Sequence, residues 1–302
     1  MKVGVIDVGG GFRGIYATGV LDYCQDNSIE FDLALGISAG SANLCSFVSR
    51  QRGRNYTFYT QYAFRKQYAS LRNFILGKGF FDVDYVYGTL SNSNGENPLD
   101  YPTLRDNPTE FIVIATDAIT GEAVYFDKSA FSQDNYAPLK ASSSIPFINK
   151  PYFIDGKPYY DGALGNPVPV EKAFELGCDL VVLILTKPEN KTREQGSDAK
   201  IAKRIRKKYP KAAEQLCLRA QHYNEGVALA QEYARQGKLI IISPDDTCGV
   251  DTLHKDREAL KKLYEKGYAD GQKIKSFYKK EVCKFQFSGE KTQWIKHKSF
   301  NL

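Results

Sequence analysis

Two glycine-bracketed stretches of this chain carry residue types that can attack and stabilise a carbonyl. The first is GISAG, Gly36 to Gly40, a G-x-S-x-G with Ser38 at its centre. Flanking glycines tolerate the strained turn that lifts a serine above a sheet edge, and the helix that follows points its N-terminus at the reacting atoms. The second is VIDVGGGFRG, Val5 to Gly14, in which Gly9, Gly11 and Gly14 have the G-x-G-x-x-G spacing of a dinucleotide-binding turn. The same backbone amides suit any anion, a short-lived oxyanion included. A nucleotide fold wants an acidic residue ending the second strand to hold the ribose. Here that strand ends in Ser38 and its nearest acid, Asp32, lies at its beginning, which favours the oxyanion.

A serine nucleophile needs a proton acceptor. The three histidines, His222, His254 and His297, lie in the last third amid charged helical sequence and read as surface residues. Asp161 in YYDGALGNP is the better candidate, with a turn aspartate in Asp-Gly as the plain alternative. A carboxylate is a weak base for serine, so the site must supply a hydrogen bond of about 2.6–3.2 Å and raise the carboxylate's basicity by partial burial. Asp155-Gly156 reads as an ordinary turn.

The elements that must position these groups follow from apolar periodicity. KVGVIDV is a strand running into glycines, RGIYATGVLDYCQDN a helix, FDLALGIS a second buried strand and AGSANLCSFVSRQ a second helix. EFIVIATDAITGEAVYFD predicts a hairpin turning at Thr120-Gly121, and Asp155-Gly156 suits a type I′ hairpin turn. PVPVEKAFELG reads as a helix stopped by Gly177, with DLVVLILT and KLIIISP as later strands. Such wholly apolar strands are covered on both faces, predicting a three-layer α/β/α sandwich with a mainly parallel central sheet. Helical stretches fill 198–236, broken at Pro210, and 253–280. Eleven aromatics between Asn55 and Tyr87 read as a packed cap, with the lining of an apolar pocket as the second reading.

The composition is that of a soluble globular protein: 302 residues, 42% hydrophobic, 25% charged, net charge +6. The start lacks the apolar core of a signal peptide, so the expectation is a cytoplasmic protein. Six scattered cysteines form neither a zinc spacing nor a disulfide framework. No metal or cofactor site and no nucleic-acid signature is evident, and oligomeric state is not legible. The basic excess concentrates in KIAKRIRKKYPK, Lys200 to Lys211, read as a solvated helix face or as a contact for an anionic membrane surface.

Assembled in order, these pieces resemble the patatin-like phospholipase family: Gly9-Gly10-Gly11 with Arg13-Gly14, GISAG, ATDAITGEAVYF, SSSIPF from Ser142, and DGALGNP with Asp161. The resemblance implies a Ser-Asp dyad of Ser38 and Asp161, an oxyanion hole at Gly9, Gly10 and Gly11, and Arg13 bracing that loop beside Gly14. Gly36 and Gly40 would then form the nucleophile elbow, and Gly162 and Ala163 complete the dyad motif. It further implies acyl hydrolysis of lipid or simple esters, peripheral membrane contact and no cofactor; a catalytically silent lipid-binding protein on the same fold is the alternative. One hydrolase domain is expected over 1–285, its core motifs within 1–190 and a helical part over 198–285, with a tail over 286–302. Asp7 before the glycines and Ala163 in place of a glycine are departures from the family pattern.

Overall fold

The computed structural model describes residues 1–70, 73, 75 and 79–278. Phe74, Cys283, His297 and the expected tail lie outside them.

Eight strands form one sheet: β1 (Val3–Asp7), β2 (Leu33–Ile37), β3 (Glu110–Asp117), β4 (Ala123–Phe126), β5 (Tyr152–Ile154), β6 (Lys157–Asp161), β7 (Leu180–Ile184) and β8 (Leu239–Ile242). Alternate residues of the central strands feed two separate cores. Val3, Val5, Ala34, Val113 and Val182 pack beneath α1 (Ile15–Asp26), α2 (Ala39–Val48) and the helix Arg257–Asp270. Ile6, Leu35, Ile37, Ile114 and Leu183 pack beneath the helices Val170–Glu175 and Pro210–Arg235. The wholly apolar strands therefore do mark a three-layer sandwich, because each strand has a helix layer on either side.

The sheet is mixed rather than mainly parallel. β3, β2, β1, β7 and β8 run parallel, whereas β4, β6 and β5 are antiparallel to their neighbours. Tight turns at Thr120-Gly121 and Asp155-Gly156 reverse the chain too quickly for the crossover a parallel pair requires.

β1 is where the winding reverses. The chain leaves it toward β2 on one side and later fills β7 on the other. Ligand crevices in open α/β sheets lie beyond the carboxyl ends of the strands at such a switch. At this end stand Gly9 to Gly11 after β1, Ser38 after β2 and Thr186-Lys187 after β7. Among the described residues no helix is long and apolar enough to cross a membrane.

Candidate active site

Ser38 stands between β2 and α2 at φ 55°, ψ −130°, a left-handed backbone conformation that a non-glycine residue adopts only when its surroundings enforce it. The enforcement is visible. The Ser38 amide donates to Ser142 Oγ at 2.8 Å, and Ser142 in turn donates to the Ile114 carbonyl at 2.6 Å and pairs with Ser41 Oγ at 2.9 Å. A Cβ on Gly36 would strike the Ser41 backbone, and one on Gly40 the Asp7 carbonyl. Both glycines are thus needed for α2 to turn back over the sheet at this point.

Asp161 reaches Ser38 through strand register. Ile114 of β3 pairs with Tyr125 of β4 and Ile37 of β2, and the next residue, Ala115, pairs with Val124 of β4 and Asp161 of β6. A strand residue has only two edges, so β2 and β6 must share the edge opposite β4. β2 is parallel to β3 and β6 antiparallel, so their carboxyl ends meet head-on and bring Ser38 to Asp161. The Asp161 side chain lies near enough to the Ser38 hydroxyl for it to act on the carboxyl, both residues border one cleft, and Asp161 accepts the Ala163 amide on Oδ1 at 2.9 Å. A Cβ on Gly162 would strike the Ile114 carbonyl, so the turn after Asp161 also needs its glycine.

Ser38 is 7% exposed and Asp161 3%. Burial pushes the Asp161 carboxyl above the usual carboxylate range, against the opposing pull of the Ala163 amide, the Ser38 hydroxyl, and the charges of Arg219 and Arg193. That direction makes it a better base than a solvated aspartate.

Of the three loop glycines, Gly9 differs from its neighbours. Its amide is taken by Asp7 Oδ1 at 2.9 Å and its carbonyl by the Thr186 hydroxyl. Among the described residues, the amides of Gly10 and Gly11 donate to no protein group. Gly9 is therefore a buttress, and the loop amides left free to meet an anion are those of Gly10 and Gly11. Asp7 is fully buried, and burial lifts its carboxyl to about 6 even though Asn43 Nδ2, at 2.9 Å, and the Gly9 amide both donate to it. Arg13 is 5% exposed, pairs with Asp251, and donates to Thr252 Oγ1 at 2.9 Å. It thereby ties the glycine loop to a distant segment, while its buried Nε has no partner. Gly14 lies against the Tyr59 hydroxyl, which leaves no room for a side chain.

Two cavities meet at Ser38. One, of about 80 Å³, is bordered by Phe58, Tyr59, Tyr68, Phe81, Val86 and Tyr87. The aromatic stretch thus contributes to a pocket as well as to packing. Arg54 also borders it, its guanidinium committed to Ser46, Ser91 and the Asn97 carbonyl. The other, a cleft of about 580 Å³, holds Asp161, Arg13, Lys187, Arg193 and Arg219.

His254 stands exposed on the rim of this cleft, and His222 lies on the helix Pro210–Arg235. Neither is hydrogen-bonded to Ser38 among the described residues. The sequence reading gave no role to Asp7, Asn43, Ser142 or Thr186. SSSIPF flagged Ser142 only as a matching motif, and nothing local to Asp7 or Thr186 signals the bond each makes.

Comparison with known proteins follows the same division of the chain. Residues 8–174 match the family described as Patatin-like phospholipase, and residues 209–280 match a domain of unknown function, DUF6363. The second segment supplies Arg219, Asp251 and Thr252 to the cleft. An uncharacterised protein of Escherichia coli K12, YjjU, is 28% identical over 202 residues, covering 62% of this chain and 52% of that protein. An uncharacterised NTE family protein of Mycobacterium tuberculosis is 27% identical over 77 residues, 26% of this chain and 20% of that one. The chain thus spans about half the length of the first relative and about a fifth of the second. The crystal structure of VipD from Legionella pneumophila superposes with a TM-score of 0.46 at 12% identity, covering 90% of this chain and 66% of that one.

Proposed function

The chain belongs to the patatin-like phospholipase family, and from that premise we propose that it is a serine acyl hydrolase that cleaves carboxylic esters of lipids through an acyl-serine intermediate. The observation that carries this reading is the register that brings Ser38, on its strained elbow, to Asp161, whose carboxyl burial makes more basic. Ser38 Oγ attacks the ester carbonyl carbon as its proton passes to Asp161. The tetrahedral oxyanion is received by the Gly10 and Gly11 amides. Collapse breaks the carbonyl carbon–oxygen bond, and Asp161 returns its proton to the departing alkoxide. Water then attacks the acyl-Ser38 ester, losing a proton to Asp161, and the carboxylic acid leaves as that proton goes back to Ser38.

The apolar pocket takes the acyl side. At about 80 Å³ it is smaller than the engineered cavity of about 150 Å³ that admits benzene in another protein, so it receives only a short segment beyond the carbonyl. The cleft mouth carries exposed Phe147 and Leu253, with Arg204 stacked on the Phe147 ring at 4.1 Å. That pairing of apolar and basic groups suits peripheral contact with an anionic bilayer.

The test is hydrolysis of short p-nitrophenyl esters together with fluorophosphonate labelling. Wild type hydrolyses and is labelled, and Ser38→Ala does neither. Full hydrolysis or labelling in Ser38→Ala defeats the mechanism. Sedimentation with vesicles, if independent of anionic lipid, removes the membrane contact.

A further inference from the structure

The cleft beside Ser38 concentrates like charge without neutralising it. Its inner wall brings together Arg13, Lys187, Arg193 and Arg219, and the acids among them are Asp198 and Asp251. Arg219 holds Asp198 with two bonds, at 2.5 and 3.0 Å, while Arg193 approaches the same carboxylate only at 3.9 Å. Asp251 is taken by Arg13. Lys187 has no ion pair among the described residues, and Arg193 has only a share in Asp198. Even with Asp161 ionised, four cations face three acids.

Crowding these groups out of water disfavours their charged forms. Burial lowers Arg193 to about 10, with Arg219 beside it adding to the fall. Burial lowers Lys187 as well, followed by the charges of Arg13 and Arg193. Arg13 is also lowered by burial, and its Nε stays unpartnered in the interior. Lys187 and Arg193 are half-buried, and cations drawn out of water beside like charges favour an anion that completes them.

The cluster's position says what that anion belongs to. Lys187 lies three residues past the end of β7, at the switch between β1 and β7 where ligands of open α/β sheets collect. The Arg193 backbone is pinned independently of its side chain: its amide donates to Asn224 Oδ1 at 2.8 Å and its carbonyl accepts from Asn224 Nδ2 at 3.0 Å. Ser38 borders both cavities, and the aromatic one suits the acyl chain. The cleft therefore faces the alcohol side of a scissile ester.

We propose that Lys187 and Arg193, with Arg13 and Arg219, form a head-group subsite that binds a phosphate of net negative charge on the alcohol side of the ester. This rests on the serine-hydrolase reading above and deepens it. Acyl esters of glycerol phosphate are preferred over the corresponding phosphocholine esters, whose quaternary ammonium is repelled. The same chemistry lets free inorganic phosphate occupy the cleft.

The test uses the full chain and short-chain monoacyl substrates below their aggregation limit, so that a charged lipid surface plays no part. The kcat/KM ratio of acylglycerol phosphate to acylglycerophosphocholine is expected to be at least about tenfold in wild type. It should fall below about threefold in the Lys187→Met, Arg193→Gln double variant. A loss of folding or of dyad activity common to both substrates cancels in this ratio. Inorganic phosphate should inhibit competitively in wild type and several-fold less in the double variant.

An equal ratio in wild type, or one unmoved by the double variant, overturns the subsite while leaving Ser38-dependent hydrolysis intact. A preference seen only with vesicles, and abolished by Lys203→Gln with Lys207→Gln, overturns it in favour of surface docking. Failure of the hydrolase reading shows separately, as hydrolysis of every substrate surviving Ser38→Ala.

Discussion

On one side of Ser38 the walls are rings: Phe58, Tyr59, Phe81 and Tyr87 close around about 80 Å³. On the other they are cations spread around about 580 Å³. The aromatic wall comes from the stretch between α2 and β3, which follows the elbow along the chain. The basic wall draws on Lys187, Arg193 and Arg219, all beyond β6. In the proposed reaction the earlier part of the chain supplies the nucleophile and encloses the acyl end, while a later one is laid over the glycine loop and decides what lies opposite. The two ends of the substrate can therefore be altered separately, with Ser38 and Asp161 common to both.

The largest effect should come from the shared dyad. Asp161→Asn keeps the shape and removes the base, so turnover of every ester should fall about 10²–10⁴-fold with the thermal unfolding profile retained. Turnover within a few-fold of wild type would return Asp161 to a turn residue.

Asp7 is fully buried against the glycine loop, and its effect is on stability. Its carboxyl rises from 3.8 unfolded to about 6 folded, so the native state holds the extra proton between these values. Stability from this group is complete below the unfolded value and is lost as pH rises through about 6. At about 1.4 kcal/mol per pH unit, wild type should lose about 2 kcal/mol more than Asp7→Asn between pH 4 and pH 7. Urea unfolding at the two pH values measures this, and parallel losses would remove Asp7 as the cause.

Only the apolar side should respond to Ala42→Phe, which projects a ring into the aromatic pocket from α2. At about 0.8 kcal/mol per buried methylene, the butyrate-to-acetate ratio of kcat/KM should fall about tenfold. An unchanged ratio would place the acyl chain elsewhere. The smallest effect is that of salt, which should act on the basic side alone. Raising ionic strength from about 0.05 to 0.5 M shortens the screening length and should reduce hydrolysis of phosphate-headed esters a few-fold. Equal inhibition of a neutral ester would break the contrast between the two walls.

What the sequence made legible was local. Ser38 could be read because G-x-S-x-G is contiguous and its strand–turn–helix setting is written in adjacent residues. Asp161 needed the family resemblance, because its approach to Ser38 depends on β6 entering the lane of β2. The displacement of Gly9 from the donor set was hidden in a side-chain orientation at Asp7, two residues earlier. The mixed sheet was implied by the two hairpins, yet the apolar strands alone suggested parallel pairing. The cationic wall was missed because its members are scattered from Arg13 to Arg219, and the conspicuous basic run at Lys200–Lys211 drew the charge argument outward. Of that run, Lys200 and Arg204 border the cleft.

The edge of β3 shared by β2 and β6 works as a gauge. Ile37 sits against Ile114 and Asp161 against Ala115, so the gap between Ser38 and Asp161 is set by counting residues along a strand that carries neither. Each count is worth about 3.3 Å. Inserting or deleting one residue within β3 would leave Ser38 and Asp161 untouched in identity and spoil their meeting. The tolerance of the chemistry is thereby fixed by hydrogen-bond register, one of the least adjustable dimensions of a sheet, while the helices around it are left free to vary.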